Sequence, residues 1–135
     1  MLNKILCVDD DQITLMLCKK VIERATFASE VITLQNGEEA FKYFKDLSVA
    51  IANKTEVNYP KLVFLDLNMP VMDGWEFLDA YRENKFQETF STNFIVLSST
   101  IDPLDYNKSK TYPFVIDFIA KPITKEILEA LKERF

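Results

Sequence analysis

Lys61-Leu62-Val63-Phe64-Leu65-Asp66-Leu67-Asn68-Met69-Pro70 is the stretch on which the fold turns. Val63, Phe64 and Leu65 form an unbroken apolar run after Tyr59-Pro60, and the turn residues Asp73-Gly74 follow soon after. A short apolar run bounded by turn signals predicts a strand buried on both faces, as in a parallel sheet. Asp66 closes that run. A carboxylate at the carboxyl end of a central parallel strand sits at the crevice where open α/β sheets bind ligands. Taken alone, such a carboxylate is more often a helix cap or an Asx-turn. The rest of the chain decides between these readings.

The chain has 135 residues, 48% apolar and 27% charged, with net charge −5. This predicts one domain over residues 1–135 with a sizeable core. The acidic balance argues against nucleic acid as a partner. No apolar stretch approaches the ~20 residues of a membrane span. The N-terminus lacks a signal-peptide pattern, because Lys4 and Asp9-Asp10-Asp11 bracket only a short apolar segment. A cytoplasmic location is expected, with Cys7 and Cys18 as buried reduced thiols. The chain contains no histidine. That removes imidazole acid–base catalysis, imidazole metal ligands and a phosphohistidine on this chain.

Outward from the central strand, apolar runs alternate with helical patterns. Lys4–Val8 predicts strand one. Ile13, Met16, Leu17 and Val21 keep helical spacing and predict a first helix over about 12–25 with that stripe buried. Glu30–Leu34 predicts strand two. Asn36-Gly37 is a turn, and Ala40, Phe41, Phe44 and Leu47 carry helix two toward Ala52. Asn53–Asn58 reads as a polar connection. Helix three spans Glu76–Lys85, with Trp75, Phe77, Leu78 and Tyr81 near its buried side, and Gln87–Asn93 reads as a polar link. Phe94–Leu97 is strand four, ending in Ser98-Ser99-Thr100. Asp102-Pro103 opens helix four, whose large apolar residues are only Leu104, Tyr106 and Tyr112. Val115–Ala120 is strand five, Lys121-Pro122 follows, and Thr124 caps helix five over Ile127, Leu128 and Leu131. Five strand–helix alternations predict a parallel sheet with helices on both faces.

Each chemically interesting side chain then falls just past a strand. These are Asp9 and Asp10 after the first, Asp66 after the third, Ser98 after the fourth and Lys121 after the fifth. In a parallel sheet those ends share one edge. Two carboxylates ~4 Å apart repel by on the order of 4 kcal/mol at an effective dielectric near 20. A hard divalent cation relieves this, and an oxygen-only donor set suits Mg²⁺ better than zinc. Metal, lysine and hydroxyl around one carboxylate is the set needed to stabilise a phosphoryl group in transit. Asp66 would be the nucleophile. Asp11 reads as a helix cap before it reads as a further ligand.

Val8-Asp9-Asp10, Leu65-Asp66-Leu67-Asn68-Met69-Pro70 with Asp73-Gly74, Leu97-Ser98-Ser99 and Lys121-Pro122 together resemble the receiver domain of two-component response regulators, across essentially the whole chain. The resemblance implies a flavodoxin-like (βα)5 three-layer sandwich with a five-stranded parallel sheet of order 2-1-3-4-5. It implies Mg²⁺ held by Asp10, Asp66 and the backbone carbonyl of Asn68, with Asp9 reaching the ion through water. It implies phosphoryl transfer onto Asp66 from a histidine kinase or phosphotransfer protein, and a cis peptide before Pro122 that aims Lys121 at Asp66. Ser98 and Phe118 would be the switch pair, the ring turning inward when Ser98 moves. With no output domain expected, the signal would pass to a downstream protein target. Three departures stand out: Ser98 where threonine is commoner, Phe118 where tyrosine is common, and Tyr112-Pro113-Phe114 in place of a small residue before strand five.

Other functions fit less well. A phosphatase working through an aspartyl phosphate usually carries a second aspartate two residues beyond the nucleophile, and here that residue is Asn68. A pseudo-receiver that only binds partners would not need Asp9, Asp10, Asp66, Ser98 and Lys121 together. A nucleotide-binding loop needs glycines, and the chain has only Gly37 and Gly74.

Overall fold

A computed structural model describes residues 1–135. Five parallel strands, β1 (Leu2–Val8), β2 (Ala28–Leu34), β3 (Leu62–Asp66), β4 (Asn93–Ser98) and β5 (Val115–Ala120), form one sheet of order β2-β1-β3-β4-β5. Six helices connect and flank them: α1 (Gln12–Arg24), α2 (Gly37–Ala52), α3 (Gly74–Glu83), α4 (Phe86–Thr89), α5 (Pro103–Ser109) and α6 (Lys125–Lys132). This is the α/β flavodoxin-like architecture, with the expected strand order. None of the helices is long and apolar enough to cross a membrane.

Side chains alternate across the sheet with period two. Ile5, Cys7, Phe64, Ile95 and Leu97 point to a layer shared with α1 and α6. Leu6, Val8, Val63, Leu65 and Phe94 point to the opposite layer, shared with α2, α3 and α4. Every residue of β3 is buried, as its continuous apolar run predicts. Cys7 and Cys18 are buried free thiols in the first layer. Burial pushes the Cys18 thiol up to about 11, which keeps it neutral and unreactive.

The two layers differ in chemistry. Aromatic side chains crowd the α2–α3–α4 face. The ring of Phe44 lies 5.3 Å from Tyr81, 5.4 Å from Phe90, 6.2 Å from Phe77 and from Phe94, and 6.4 Å from Phe86. Such offset and edge-on pairs add to the burial of large apolar area. Phe41, Phe44, Phe77, Phe94 and Phe114 therefore serve the core, as their sequence positions suggested.

Three expectations need correction. The Gln87–Asn93 link is not featureless, because Phe86–Thr89 forms the short helix α4 and both Phe86 and Phe90 are buried. On α1 the buried residues are Leu15, Cys18 and Ile22, whereas Ile13, Met16 and Leu17 are exposed. The helix carries two apolar stripes, and the sheet takes Leu15, Cys18 and Ile22, with only Val21 of the expected stripe packed against the same layer. Helix α5 ends at Ser109, so Tyr112 lies beyond it in the core, while Leu104 is left 78% exposed.

Caps hold the helix starts at the sheet's carboxyl edge. Asp11, Asn36, Asp102 and Thr124 each accept a backbone N–H of their own helix. Asp73 and Glu76 form a reciprocal capping box at the start of α3.

The hydroxyl of Tyr81 is buried and makes no well-formed hydrogen bond; its neighbour Thr92 gives its proton to the Pro60 carbonyl and keeps lone pairs that face the phenol only loosely. A buried polar atom without a partner lowers stability. Tyr81→Phe should therefore keep or raise stability, by up to about 1 kcal/mol, since it removes only that atom. Chemical denaturation compares the two proteins. A loss above that size would mean that the hydroxyl is satisfied in solution.

Candidate phosphoacceptor site

The carboxyl edge of the sheet brings together the residues the sequence singled out. Asp66 is the last residue of β3, and it is only 6% exposed. Asp9 follows β1 and is 4% exposed, while Asp10 beside it is open to solvent. One carboxylate oxygen from each of Asp9, Asp10 and Asp66 lies within 4.8 Å of the others. Lys121, immediately after β5, reaches into this cluster. Its Nζ lies 2.6 Å from Asp9 Oδ2 and 3.3 Å from Asp66 Oδ1. The Lys121–Pro122 peptide is cis. Ser98 ends β4 with its side chain buried, and its carbonyl accepts the backbone N–H of Lys121 at 2.7 Å. Asn68 is exposed just beyond β3.

Local hydrogen bonds fix the carboxylates. Asp9 Oδ1 accepts the backbone N–H of Asp11 at 2.9 Å, and Asp66 Oδ1 accepts that of Leu67 at 2.9 Å. Asp11 turns away from the cluster: its carboxylate accepts the N–H of Ile13 and the hydroxyl of Thr14. It is a cap, as its sequence position favoured.

The electrostatics follow from crowding. Burial first, then the charge of Asp9, raises the pKa of Asp66 to about 6, with Asp10 adding to the rise and Lys121 opposing it. Burial alone would lower the pKa of Lys121. Its hydrogen bond to Asp9 and the charges of Asp66 and Asp9 outweigh that, so the ammonium is held charged. One cation cannot neutralise three anions. The oxygen-only donor set and the residual negative charge fit a hard divalent cation.

Gly74, expected as part of the motif around Asp66, and Gly37, expected only as a turn residue, both shape the site. A Cβ on Gly74 would stand 2.5 Å from the carbonyl oxygen of Asp66 and 2.9 Å from Leu67 Cα. A Cβ on Gly37 would stand 2.7 Å from the carbonyl oxygen of Met72. Both glycines of the chain thus let backbone pack against the segment that carries Asp66. Their scarcity was the available signal. In the same loop Val71 holds φ 70° and is 73% exposed. A β-branched residue in the left-handed region stores on the order of 1–3 kcal/mol of strain.

Phe118 is 6% exposed, packed against Leu67 and Val96, with Tyr106 edge-on at 6.1 Å. Its ring lies inside. Trp75 borders the same cluster and stacks on Tyr112 at 6.0 Å, and the Tyr112 hydroxyl donates to Asp79 at 2.6 Å.

The family model for the response regulator receiver domain matches residues 5–132. The chain belongs to that family. Among curated proteins it is 29% identical to the hybrid signal transduction histidine kinase L of Dictyostelium discoideum, over 98% of this chain but 7% of that protein. It is 29% identical to the alkaline phosphatase synthesis transcriptional regulatory protein PhoP of Bacillus subtilis, over 95% of this chain and 46% of that protein. It is 28% identical to the rice two-component response regulator ORR41, over 98% of this chain and 93% of that protein. The chain thus spans less than half the length of the first two. Among solved structures, a two-component response regulator from Cytophaga hutchinsonii superposes with a TM-score of 0.85 at 26% identity, covering 98% of this chain and 96% of that one. The receiver domain therefore has its acidic cluster at the expected edge of the sheet.

The raised pKa of Asp66 makes a prediction for stability. A carboxyl whose folded pKa exceeds its unfolded value near 3.9 contributes stability that is fully present below that value and is lost as pH rises through about 6. In a chelator the protein should thus lose stability between about pH 4 and pH 6. Asp66→Asn should lack that loss and be more stable at pH 7.5, by on the order of 2 kcal/mol. Melting curves of both proteins across that range, without divalent cations, provide the check. Parallel curves would show that the crowding of carboxylates costs no stability.

Proposed function

We propose that this receiver domain is a phosphoacceptor. In that reading Asp66 takes a phosphoryl group from the phosphohistidine of a histidine kinase or phosphotransfer protein, and the modified domain signals through a protein partner. It is a reactant in signalling more than a turnover enzyme. One observation carries the reading: the buried Asp66 carboxylate ends the central strand with Lys121 Nζ at 3.3 Å and two further carboxylates beside it. The chain has no histidine, which fits an acceptor whose phosphohistidine donor lies outside residues 1–135.

The residues divide the work. Asp9, Asp10 and Asp66, with the backbone carbonyl of Asn68, would hold Mg²⁺. Bound there, the ion supplies positive charge to the carboxylates and to the phosphoryl oxygens. An Asp66 oxygen attacks phosphorus, the P–N bond to the donor imidazole breaks, and the electron pair leaves with that nitrogen. With a pKa of about 6, Asp66 is mostly ionised at neutral pH and able to attack. Lys121 provides a fixed positive charge, and Ser98 a hydroxyl for a phosphoryl oxygen.

The same contacts give the output. A phosphoryl group on Asp66 draws Ser98 toward it, and the chain after Ser98 leads directly into α5. Ser98 and Phe118 remain the switch pair of this reading. Phe118 packs edge-on against Tyr106 of α5 at 6.1 Å, so a shift of either ring repacks the face that α5 presents. A partner that prefers the repacked face would shift the population toward it.

Incubation with Mg²⁺ and acetyl phosphate, followed by intact mass, tests the acceptor. The wild-type chain should gain one phosphoryl group and Asp66→Asn none. Label retained on another aspartate in that variant would overturn the assignment.

The metal assignment has its own measurement. Mg²⁺ should raise the melting temperature of the wild-type protein more than that of Asp10→Ala. Equal shifts would remove Asp10 from the ligand set.

A further inference from the structure

Tyr59 precedes β3, so it lies at the edge of the sheet opposite Asp66, where phosphoacceptor chemistry has no part. Its phenol oxygen accepts two hydrogen bonds, one from Lys61 Nζ at 3.1 Å and one from the backbone N–H of Ser91 at 3.3 Å. The Lys61 ammonium also lies 4.3 Å from the centre of the Tyr59 ring. Lys61 makes no ion pair, so no carboxylate competes for that charge. The ring is half-buried and packs edge-on against Phe90 at 5.1 Å, which holds the phenol in place while leaving it open to solvent on its other side.

The other four tyrosines of the chain differ. Tyr81 is fully buried. Tyr112 is buried and donates its hydroxyl to Asp79 at 2.6 Å, and burial together with that acceptor raises its pKa to about 12. Burial, then the charge of Glu30, raises the pKa of half-buried Tyr43. Tyr106 is the natural control. It is 38% exposed, with Lys110 Nζ 4.3 Å from its ring centre, but no donor hydrogen-bonds its phenol oxygen. The two exposed rings thus carry a cation at the same distance, and only at Tyr59 does the cation reach the oxygen. There the hydrogen bond from Lys61, then that from Ser91, holds the phenol below the usual tyrosine range. Donors aimed at an oxygen favour its charged form, and the phenolate is the nucleophile.

We propose that Tyr59 is a nucleophilic phenol, the tyrosine of this chain that is preferentially modified on oxygen by hard electrophiles of the sulfonyl and phosphoryl class. This reading is independent of the phosphoacceptor. With an aryl sulfonyl fluoride, the Tyr59 oxygen forms the new O–S bond and the S–F bond breaks. The electron pair leaves with fluoride, and the phenol proton passes to solvent. No oxidant or further reactant is needed. Lys61 acts through charge, by stabilising the phenolate before attack.

The test treats the full chain at neutral pH with a limiting dose of benzenesulfonyl fluoride, and peptide mapping gives the rate at each side chain. Tyr59 should lead Tyr106 several-fold. Lys61→Met should lower the rate at Tyr59 about threefold, the size expected of an exposed charge contact. Lys61→Arg keeps a charged donor and should restore most of that rate. Both variants should leave Tyr106 unchanged, and buried Tyr81 should stay unlabelled wherever the fold is kept. Equal rates at Tyr59 and Tyr106 on the wild-type chain would overturn the proposal without reference to any variant. So would label on Lys61 in place of Tyr59, or an undiminished rate at Tyr59 in Lys61→Met. A loss in Lys61→Arg as large as in Lys61→Met would show that charge is not the cause, and the proposal would fall with it.

Discussion

Three carboxylates within 4.8 Å share one ammonium, and the rest of the molecule is arranged around that imbalance. Charges this close cannot all be ionised and buried without compensation. Lys121 supplies part of it, at 2.6 Å from Asp9 and 3.3 Å from Asp66. The shorter contact goes to Asp9, so Asp66 is the less neutralised of the two buried carboxylates. Its pKa is raised first by burial and then by the charge of Asp9, and Lys121 offsets only part of that. An under-compensated carboxylate is a nucleophile with something to gain from positive charge brought by a metal ion or by a phosphoryl–metal pair. The crowding that raises the pKa of Asp66 is the same crowding that a hard divalent cation would relieve.

Holding that cluster needs a stiff frame. β3 is buried along its whole length, flanked by β1 and β4, and packed on both faces. Beyond it the chain must turn back at once into α3. Gly74 lets α3 begin against the Asp66 carbonyl, and its N–H donates to the Leu67 carbonyl at 2.9 Å. Gly37 does the same for α2 against Met72, donating to that carbonyl at 2.8 Å. Elsewhere the chain makes its left-handed turns without glycine, at Thr26, Lys54, Val71 and Lys85. Both glycines are therefore placed for close approach and not for left-handed geometry. Val71 carries strain in the loop between Asp66 and α3, and such strain is often tolerated near functional sites.

Much of this was legible in the sequence, for a physical reason. Strands buried on both faces leave continuous apolar runs, and the parallel topology then forces every strand end to one edge. Asp9, Asp66, Ser98 and Lys121 could be placed together before any coordinates. What periodicity could not decide was phase. On α1, Ile13, Met16, Leu17 and Val21 keep helical spacing as well as Leu15, Cys18 and Ile22 do. The choice between stripes is made by tertiary packing, which local pattern does not encode. The helix α4 was hidden because four residues are too few for a period, although Phe86 and Phe90 marked its buried side. The state of the Phe118 ring was hidden because it depends on Leu67, Val96 and Tyr106, which are distant in sequence.

The two sides of the carboxyl edge differ in how they can respond. Lys121 and Ser98 are joined through the backbone, the Lys121 N–H donating to the Ser98 carbonyl at 2.7 Å, and Ser98 is paired with Ala120 across β4 and β5. Movement of the Ser98 side chain therefore cannot carry the strand end with it unless those bonds yield. The free direction lies ahead of Ser98, through Ser99 and Thr100 into α5. That helix is seven residues long and leaves Leu104 exposed. Tyr106 against Phe118, and Lys108 over the Trp75 ring at 4.5 Å, attach it to the body. An element with so little buried apolar surface opens at low free energy compared with the aromatic-packed α2 and α3. The fold thus pairs a rigid strand end at Asp66 with a weakly held neighbour.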